Sequence, residues 1–144
     1  MKINRFQLIK FLSKIHSFVY RISNKKIGNK LTNIEILFLT TIGRNSGKFR
    51  TVPLASLEHK GNYFVVASFG GSSSEPDWLL NIRKYSKVYI QNNSISCNVK
   101  AKILTPENTQ YSEMWNKAVE IYHGFDNYKN TTSRSIALVL FITI

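Results

Sequence analysis

The sequence predicts an α+β fold, a small antiparallel barrel of about six strands with helices attached. Three observations predict it. Apolar, β-favouring runs at 35–41, 49–57 and 63–68 are separated by short turn signals, which makes a meander of hairpins. Residues 94–103 alternate cleanly, with Ile95, Cys97, Val99, Ala101 and Ile103 on one face and polar residues on the other. Finally, 144 residues with 43% hydrophobic, 12% aromatic and 19% charged side chains have the composition of one globular domain. A single cysteine, Cys97, excludes an internal disulfide framework and a Cys-rich zinc site, and fits a reducing compartment. His16, His59 and His123 form no ligand pair, so no metal is expected.

The net charge is +12, and residues 1–30 hold eight basic side chains with no acid, which leaves +4 for the rest. Within this segment Leu8, Leu12, Ile15, Val19 and Ile22 recur at helical spacing, flanked by Phe11 and Phe18. The pattern predicts a basic amphipathic helix over 4–22, joined by a connector to a barrel domain over 31–144. Two readings stay open for it: packing on the domain with a solvated basic face, or attachment to an anionic membrane surface. No recognition motif accompanies the charge, so nucleic acid is not an expected partner. The longest uncharged apolar run, 136–144, is too short to span a bilayer, and Lys10, Lys14 and His16 break any signal-peptide core. The expected location is cytoplasmic and, on the membrane-surface reading, peripheral at the inner face of the cell membrane.

Residues 35–41 form a nearly continuous apolar run, the pattern of a buried strand. Gly43–Lys48 turns the chain into the strand 49–57, where Pro53 signals a bulge or an edge. His59–Asn62 is the next turn and 63–68 the third strand. Gly70–Ser74 interrupts the strands. Ser74 is then the expected N-cap, and Pro76 sits just inside a short helix ending near Tyr85. A brief strand over 87–91 and an Asn92-Asn93 turn lead into 94–103. Thr105 as cap and Pro106 at the first helical position open a second helix, with Tyr111, Met114 or Trp115, Ala118, Val119 and Tyr122 on its core face and Gly124 at its end. Residues 135–144 form a last, central apolar strand.

Conventional catalytic motifs are absent: there is no GxSxG, HExxH, P-loop or carboxylate pair. Cofactor-driven hydride transfer needs none of these, because the cofactor carries the chemistry. Arg44, Lys48 and Arg50 lie within seven residues on a glycine-bounded turn, which suits an anionic ligand. Ser68–Ser74 could cradle a phosphate. Taken alone, each has a plainer reading, a solvated hairpin turn and a flexible loop.

Together these residues resemble a known family. Thr40–Leu54 (TTIGRNSGKFRTVPL) is similar to the TTxGRxSGxxRxxPL signature of the deazaflavin-dependent nitroreductase and quinone reductase family. Three further blocks follow in the family's order: Val66–Gly71, Pro76–Ile82, and Tyr122–Phe125 with Tyr128, Thr132 and Arg134. The resemblance implies a split β-barrel of the FMN-binding type and an enzyme that binds coenzyme F-420, a deazaflavin with an anionic tail. The reaction implied is hydride transfer from the reduced cofactor to a quinone, nitroaromatic or similar small electrophile. The implied cofactor-binding residues are Arg44, Asn45, Ser46, Gly47, Lys48, Arg50, Pro53, Ser68, Phe69, Gly70, Gly71, Trp78 and Asn81. Tyr122, Phe125 and Tyr128 are implied to border the substrate side, and no side chain is assigned as catalytic. The proton needed would come from water or from Tyr122 or Tyr128, with water preferred because a phenol is a weak acid at neutral pH.

The chain departs from the family pattern at several positions. Asn45 and Phe69 stand where many members carry lysine, Phe125 stands for a tyrosine, and Ser86, His123 and Ala137 stand for prolines. Fewer cations leave FMN, with its single phosphate, as the alternative cofactor. A barrel without cofactor that binds a membrane or partner through residues 1–30 is the non-enzymatic alternative. Related barrels often pair, which makes a homodimer an expectation.

Overall fold

Alternation along the strands sorts the apolar side chains into two cores, one inside a barrel and one outside it. The computed structural model describes residues 35–144, so the helix expected over 4–22 lies outside the described residues. The chain runs β1 (Glu35–Ile42), β2 (Phe49–His59), β3 (Asn62–Val66), a 3-10 turn (Phe69–Gly71), α1 (Asp77–Lys84), β4 (Lys87–Gln91), β5 (Ser96–Leu104), α2 (Tyr111–Ile121), α3 (Gly124–Thr131) and β6 (Leu138–Thr143). The strands close in the order β1-β2-β3-β6-β5-β4, and every neighbouring pair is antiparallel. The expected antiparallel barrel is therefore present.

Inside the barrel lie Leu37 and Leu39 of β1, Leu54 of β2, Val65 of β3, Val88 and Ile90 of β4, Val99 and Ala101 of β5, and Val139 and Phe141 of β6. α1 packs into this core with Trp78, Leu79 and Ile82. Leu37, Leu39 and Leu79 have no exposed surface, and burial of each such side chain stabilises by about 1.5–3 kcal/mol. The second core lies on the opposite face of the wall. Leu57, Phe64, Leu138 and Leu140 point out of the barrel and are covered by Tyr111, Met114, Trp115 and Ala118 of α2 and Phe125 of α3. β6 thus has an apolar neighbour on both faces and pairs with both β3 and β5. This explains its unbroken apolar run.

The ladders differ in length. β1 pairs with β2 over its whole length, from Glu35 opposite Ser56 to Ile42 opposite Phe49. β1 meets β4 only at Phe38–Thr40, and β3 meets β6 only at Phe64–Val66. β2 reaches β3 only from Ser56 to His59, so among the described residues Phe49–Ala55 is an edge on the side away from β1. Pro53 lies in that edge, where its missing N–H disturbs no ladder.

Local structure departs from the sequence reading in three places. Pro76, in extended conformation, is the N-cap of α1, rather than Ser74. Asp77 instead puts negative charge on the first turn of α1, where the helix dipole favours it. Pro106 does not open α2. The Asn108 side chain accepts from the Thr105 N–H at 2.8 Å, and its N–H bonds back to the Thr105 carbonyl at 2.9 Å, so turns precede a helix that starts at Tyr111. Gly124 does not end α2 but starts α3, a third described α-helix where two were expected. The break falls at Tyr122, whose extended backbone closes α2. A Cβ on Gly124 would lie 2.2 Å from the Tyr122 ring, so only glycine fits beneath it.

Candidate functional site

One end of the barrel gathers the residues singled out from sequence. The turn Gly43–Lys48 joins β1 to β2 there, since Thr41 lies opposite Arg50. Val66 and Leu104 both pair with Leu138, so the segment after β3 and the start of β6 lie at the same end. α1 closes this end against β1. No group of His, Cys, Asp and Glu able to hold a metal occurs among the described residues.

The first turn is fastened to α1 by Asn81. Its buried Oδ1 accepts from the Arg44 backbone N–H at 3.0 Å and from Arg44 Nη1 at 3.2 Å, while its Nδ2 donates to Thr41 Oγ1 at 3.0 Å. Arg44 Nη2 also pairs with Asp77 Oδ1 at 3.0 Å, and Lys84 Nζ donates to the Arg44 carbonyl at 2.9 Å. Arg44 is therefore engaged in holding the turn on the helix. Ser46 Oγ accepts the Lys48 N–H at 3.2 Å within the turn. Lys48 and Arg50 are exposed and form no ion pair among the described residues. Arg50 shares the inward parity of Val52 and Leu54, which aims it along the mouth of the barrel. Asn45 is exposed beside them.

The second turn is fastened by Arg134. Its guanidinium donates to the carbonyls of Ser72 at 2.9 Å, Ser68 at 2.9 Å and Ala67 at 3.2 Å. Thr132 Oγ1 adds a bond to the Ser72 carbonyl at 3.3 Å. Burial lowers the pKa of Arg134, and the nearby charge of Glu75 opposes that shift. Phe69, Gly70 and Gly71 all take left-handed φ values of 44, 63 and 78°. A Cβ on Gly70 would meet nothing within 4 Å, so this part of the turn faces open space. A Cβ on Gly71 would lie 2.3 Å from Thr131 Oγ1 and 3.3 Å from the Tyr128 backbone, so the turn rests directly on α3. Phe69 is 44% exposed despite its size.

Beside this turn stands an aromatic group. The Tyr122 and Tyr128 hydroxyls are 3.4 Å apart, and Phe125 meets the Tyr122 ring edge-on at 5.2 Å. Both tyrosines are half-buried. Phe125 is buried within the outer core, behind the tyrosines. Trp78 is buried in the barrel core, and Pro53 lies on the outer face of β2 opposite Phe38. The structure thus brings Arg44, Ser46, Lys48, Arg50, Ser68, Gly70, Gly71 and Asn81 to one mouth and places Trp78, Phe125 and Pro53 away from its surface. Sequence reasoning quoted Thr41, Asp77 and Arg134 only as parts of blocks and gave Lys84 no role. Their partners are distant in sequence, which no local pattern reveals.

A closed antiparallel barrel with exposed cations and an open glycine turn at one mouth defines, among the described residues, a barrel protein suited to an anionic cofactor. Comparison with known proteins narrows the class: the family described as F420H(2)-dependent quinone reductase matches residues 12–142, and the chain belongs to it. The family's cofactor is coenzyme F-420, and the chain is an enzyme of that kind. It is 30% identical over 131 residues to an F420H(2)-dependent quinone reductase of Mycobacterium tuberculosis, covering 90% of this chain and 88% of that one. Among solved structures, an F420-H2 dependent reductase is 33% identical with a TM-score of 0.66, covering 74% of this chain and 93% of that one. A protein described as a domain-swapped dimer is 29% identical with a TM-score of 0.67, covering 90% and 98%. The split-barrel fold implied by the sequence motifs is the fold of these neighbours.

Proposed function

We propose that this barrel mouth binds reduced F-420 and delivers its hydride to a quinone, with nitroaromatics and similar electrophiles as further acceptors. The observation that carries the reading is the pair of exposed cations, Lys48 and Arg50, beside a glycine turn whose Gly70 faces open space. This donor set fits an anionic cofactor tail and a close backbone approach. When bound, the deazaflavin supplies the hydride.

The remaining roles belong to the chain. Lys48 and Arg50 hold the anionic tail by charge-assisted bonds, with Asn45 and Ser46 beside them. Arg44, Asn81 and Asp77 keep the first turn in place, and Arg134 keeps the second. Ser68, Phe69, Gly70 and Gly71 form the wall that the cofactor approaches. The hydroxyls of Tyr122 and Tyr128 border the acceptor and orient its oxygen, while water supplies the proton. Phe125 and Trp78 act from behind by packing.

The domain division at about residue 30 and a cytoplasmic setting complete the proposal. The basic excess of residues 1–30 supports attachment of that segment to an anionic membrane, where lipid-borne quinones reside. The domain-swapped dimer among the solved neighbours supports pairing of two copies.

The test is a fluorescence titration with oxidised F-420, run beside FMN. Low-micromolar F-420 binding with weaker FMN binding is expected. The double variant Lys48→Ala/Arg50→Ala should weaken F-420 binding by tenfold or more and flatten its salt dependence. FMN binding alone, or unchanged affinity in the double variant, overturns this reading.

A further inference from the structure

Gly124 is the first residue of α3, and the backbone there does not call for glycine. Among the described residues the left-handed glycines are Gly47, Gly61, Gly70 and Gly71. Glycine is also a poor helix former, so local structure would favour alanine at this position. What the position accommodates is a ring. The three atoms nearest a Cβ placed on Gly124 are Cε1, Cζ and Oη of Tyr122, at 2.2, 2.2 and 2.4 Å. The hydroxyl end of Tyr122 therefore lies against the bare backbone of Gly124.

The neighbours hold this arrangement from other sides. Phe125 meets the Tyr122 ring edge-on, with centroids 5.2 Å apart and an interplanar angle of 87°. Phe125 is itself buried in the outer core. Asp126 Oδ1 accepts from Trp115 Nε1 at 3.1 Å, which ties the first turn of α3 to α2. Seated in this way, the Tyr122 hydroxyl lies 3.4 Å from that of Tyr128. The Tyr128 backbone in turn lies directly beneath Gly71, so the hydroxyl pair is in register with the second turn of the mouth.

We propose that Gly124 is a positioning residue for reduction of the acceptor: its missing side chain is the seat that sets the Tyr122 hydroxyl beside that of Tyr128. The inference rests on the reading above in which these two hydroxyls orient the acceptor oxygen. Ordinary van der Waals contact begins at 3.4 Å, so a methyl group on Gly124 displaces the Tyr122 ring by about 1 Å. Phe125 and Asp126 hold α3 in place, so the ring yields rather than the helix. Hydrogen bonds weaken steeply outside a narrow range of distance and angle. Misplacement by about 1 Å near a reacting centre costs on the order of 100-fold in rate.

The test is steady-state reduction of menadione by reduced F-420 on the full chain, with F-420 titration and circular dichroism on each variant. Gly124→Ala should lower kcat/KM for menadione about tenfold or more and leave the F-420 dissociation constant within about twofold. Tyr122→Phe should lower kcat/KM comparably. In the Tyr122→Phe background, Gly124→Ala should add no further kinetic loss, because the ring still moves but no hydroxyl remains to be misplaced. A merely structural role gives a different pattern, since the clash with the ring persists in that double variant. A kinetic loss that persists there, a loss that falls equally on F-420 affinity, or unchanged turnover in Gly124→Ala overturns the inference. If Gly124→Ala fails to fold, Gly124→Ala/Tyr122→Leu removes the colliding atoms; its folding supports the seat, and its failure to fold overturns it. Normal turnover in Tyr122→Phe with F-420 binding intact marks a different failure: the acceptor does not lie at the tyrosines, and that reading falls together with this inference.

Discussion

Arg44 and Asn81 meet through two bonds to one atom: the backbone N–H and the guanidinium of Arg44 both donate to Asn81 Oδ1, at 3.0 and 3.2 Å. The same amide donates to Thr41, so one buried side chain joins β1, the following turn and α1. Replacing it with leucine leaves buried polar groups unpaired. Asn81→Leu should lower stability by about 2–3 kcal/mol in urea unfolding. It should also weaken F-420 binding, because the turn that carries Lys48 comes loose. Asn81→Asp keeps the acceptor and should bind F-420 better than Asn81→Leu. Equal affinity in both variants and the wild type removes the turn from the cofactor site.

Arg134 reaches four carbonyls, those of Ala67, Ser68, Ser72 and Ser135, with a rigid fork, which an ammonium cannot copy. Arg134→Lys should therefore raise the dissociation constant for F-420 about tenfold, while the folded barrel persists in circular dichroism. The informative comparison is affinity against stability. A loss of stability with unchanged affinity would make Arg134 a packing residue only.

Gly71 and Gly70 separate two effects that are usually mixed. Gly71→Ala meets both a left-handed φ of 78° and a clash with Thr131 and Tyr128. It should cost about 2–4 kcal/mol in chemical denaturation. Gly70→Ala meets only the backbone penalty, φ 63° in open space, and should cost about 1–2 kcal/mol. Gly70→Ala should nevertheless impair F-420 binding more than its stability loss accounts for, because its methyl group occupies the approach to the turn.

Tyr111 donates to the Ile136 carbonyl at 2.7 Å, and burial pushes its phenol pKa up from 10.0 to about 12. The unfolded chain loses this proton first. Stability from this residue is thus complete below about pH 10 and declines as pH rises toward 12. Tyr111→Phe should remove that alkaline dependence and lower neutral-pH stability by about 1 kcal/mol. Absorbance titration at the tyrosinate band, in parallel with denaturation at each pH, reads both effects.

The barrel was legible because its strands carry periodic signals. The alternation over 94–103 became β5, and the unbroken run near the C-terminus became β6, buried on both faces. The helices were less legible. Gly124 has the composition of a helix stop, yet its lack of a side chain serves the Tyr122 ring, and a new helix begins on it. Thr105 and Pro106 look like a helix start, but the Asn108 side chain captures the Thr105 N–H first. The site was legible as motifs and not as contacts. Arg44 has the chemistry of an anion ligand, and only the fold shows it paired with Asp77, 33 positions away. Phe125 belongs to a recognisable block, but its burial depends on how α3 packs on α2.

The two short ladders, Phe38–Thr40 against Tyr89–Gln91 and Phe64–Val66 against Leu138–Leu140, give the ring two hinges of unequal strength. The second lies under the aromatic cover of α2, through Phe64 and Leu138, whereas the first is bounded outside by the half-open Phe38 and Tyr89. Amides of β1 and β4 at this weaker hinge should trade deuterium ahead of those in β5 and β6. That join lies on β1, the strand that leads into the turn carrying Lys48, so faster exchange there would place the least protected part of the wall next to the candidate site.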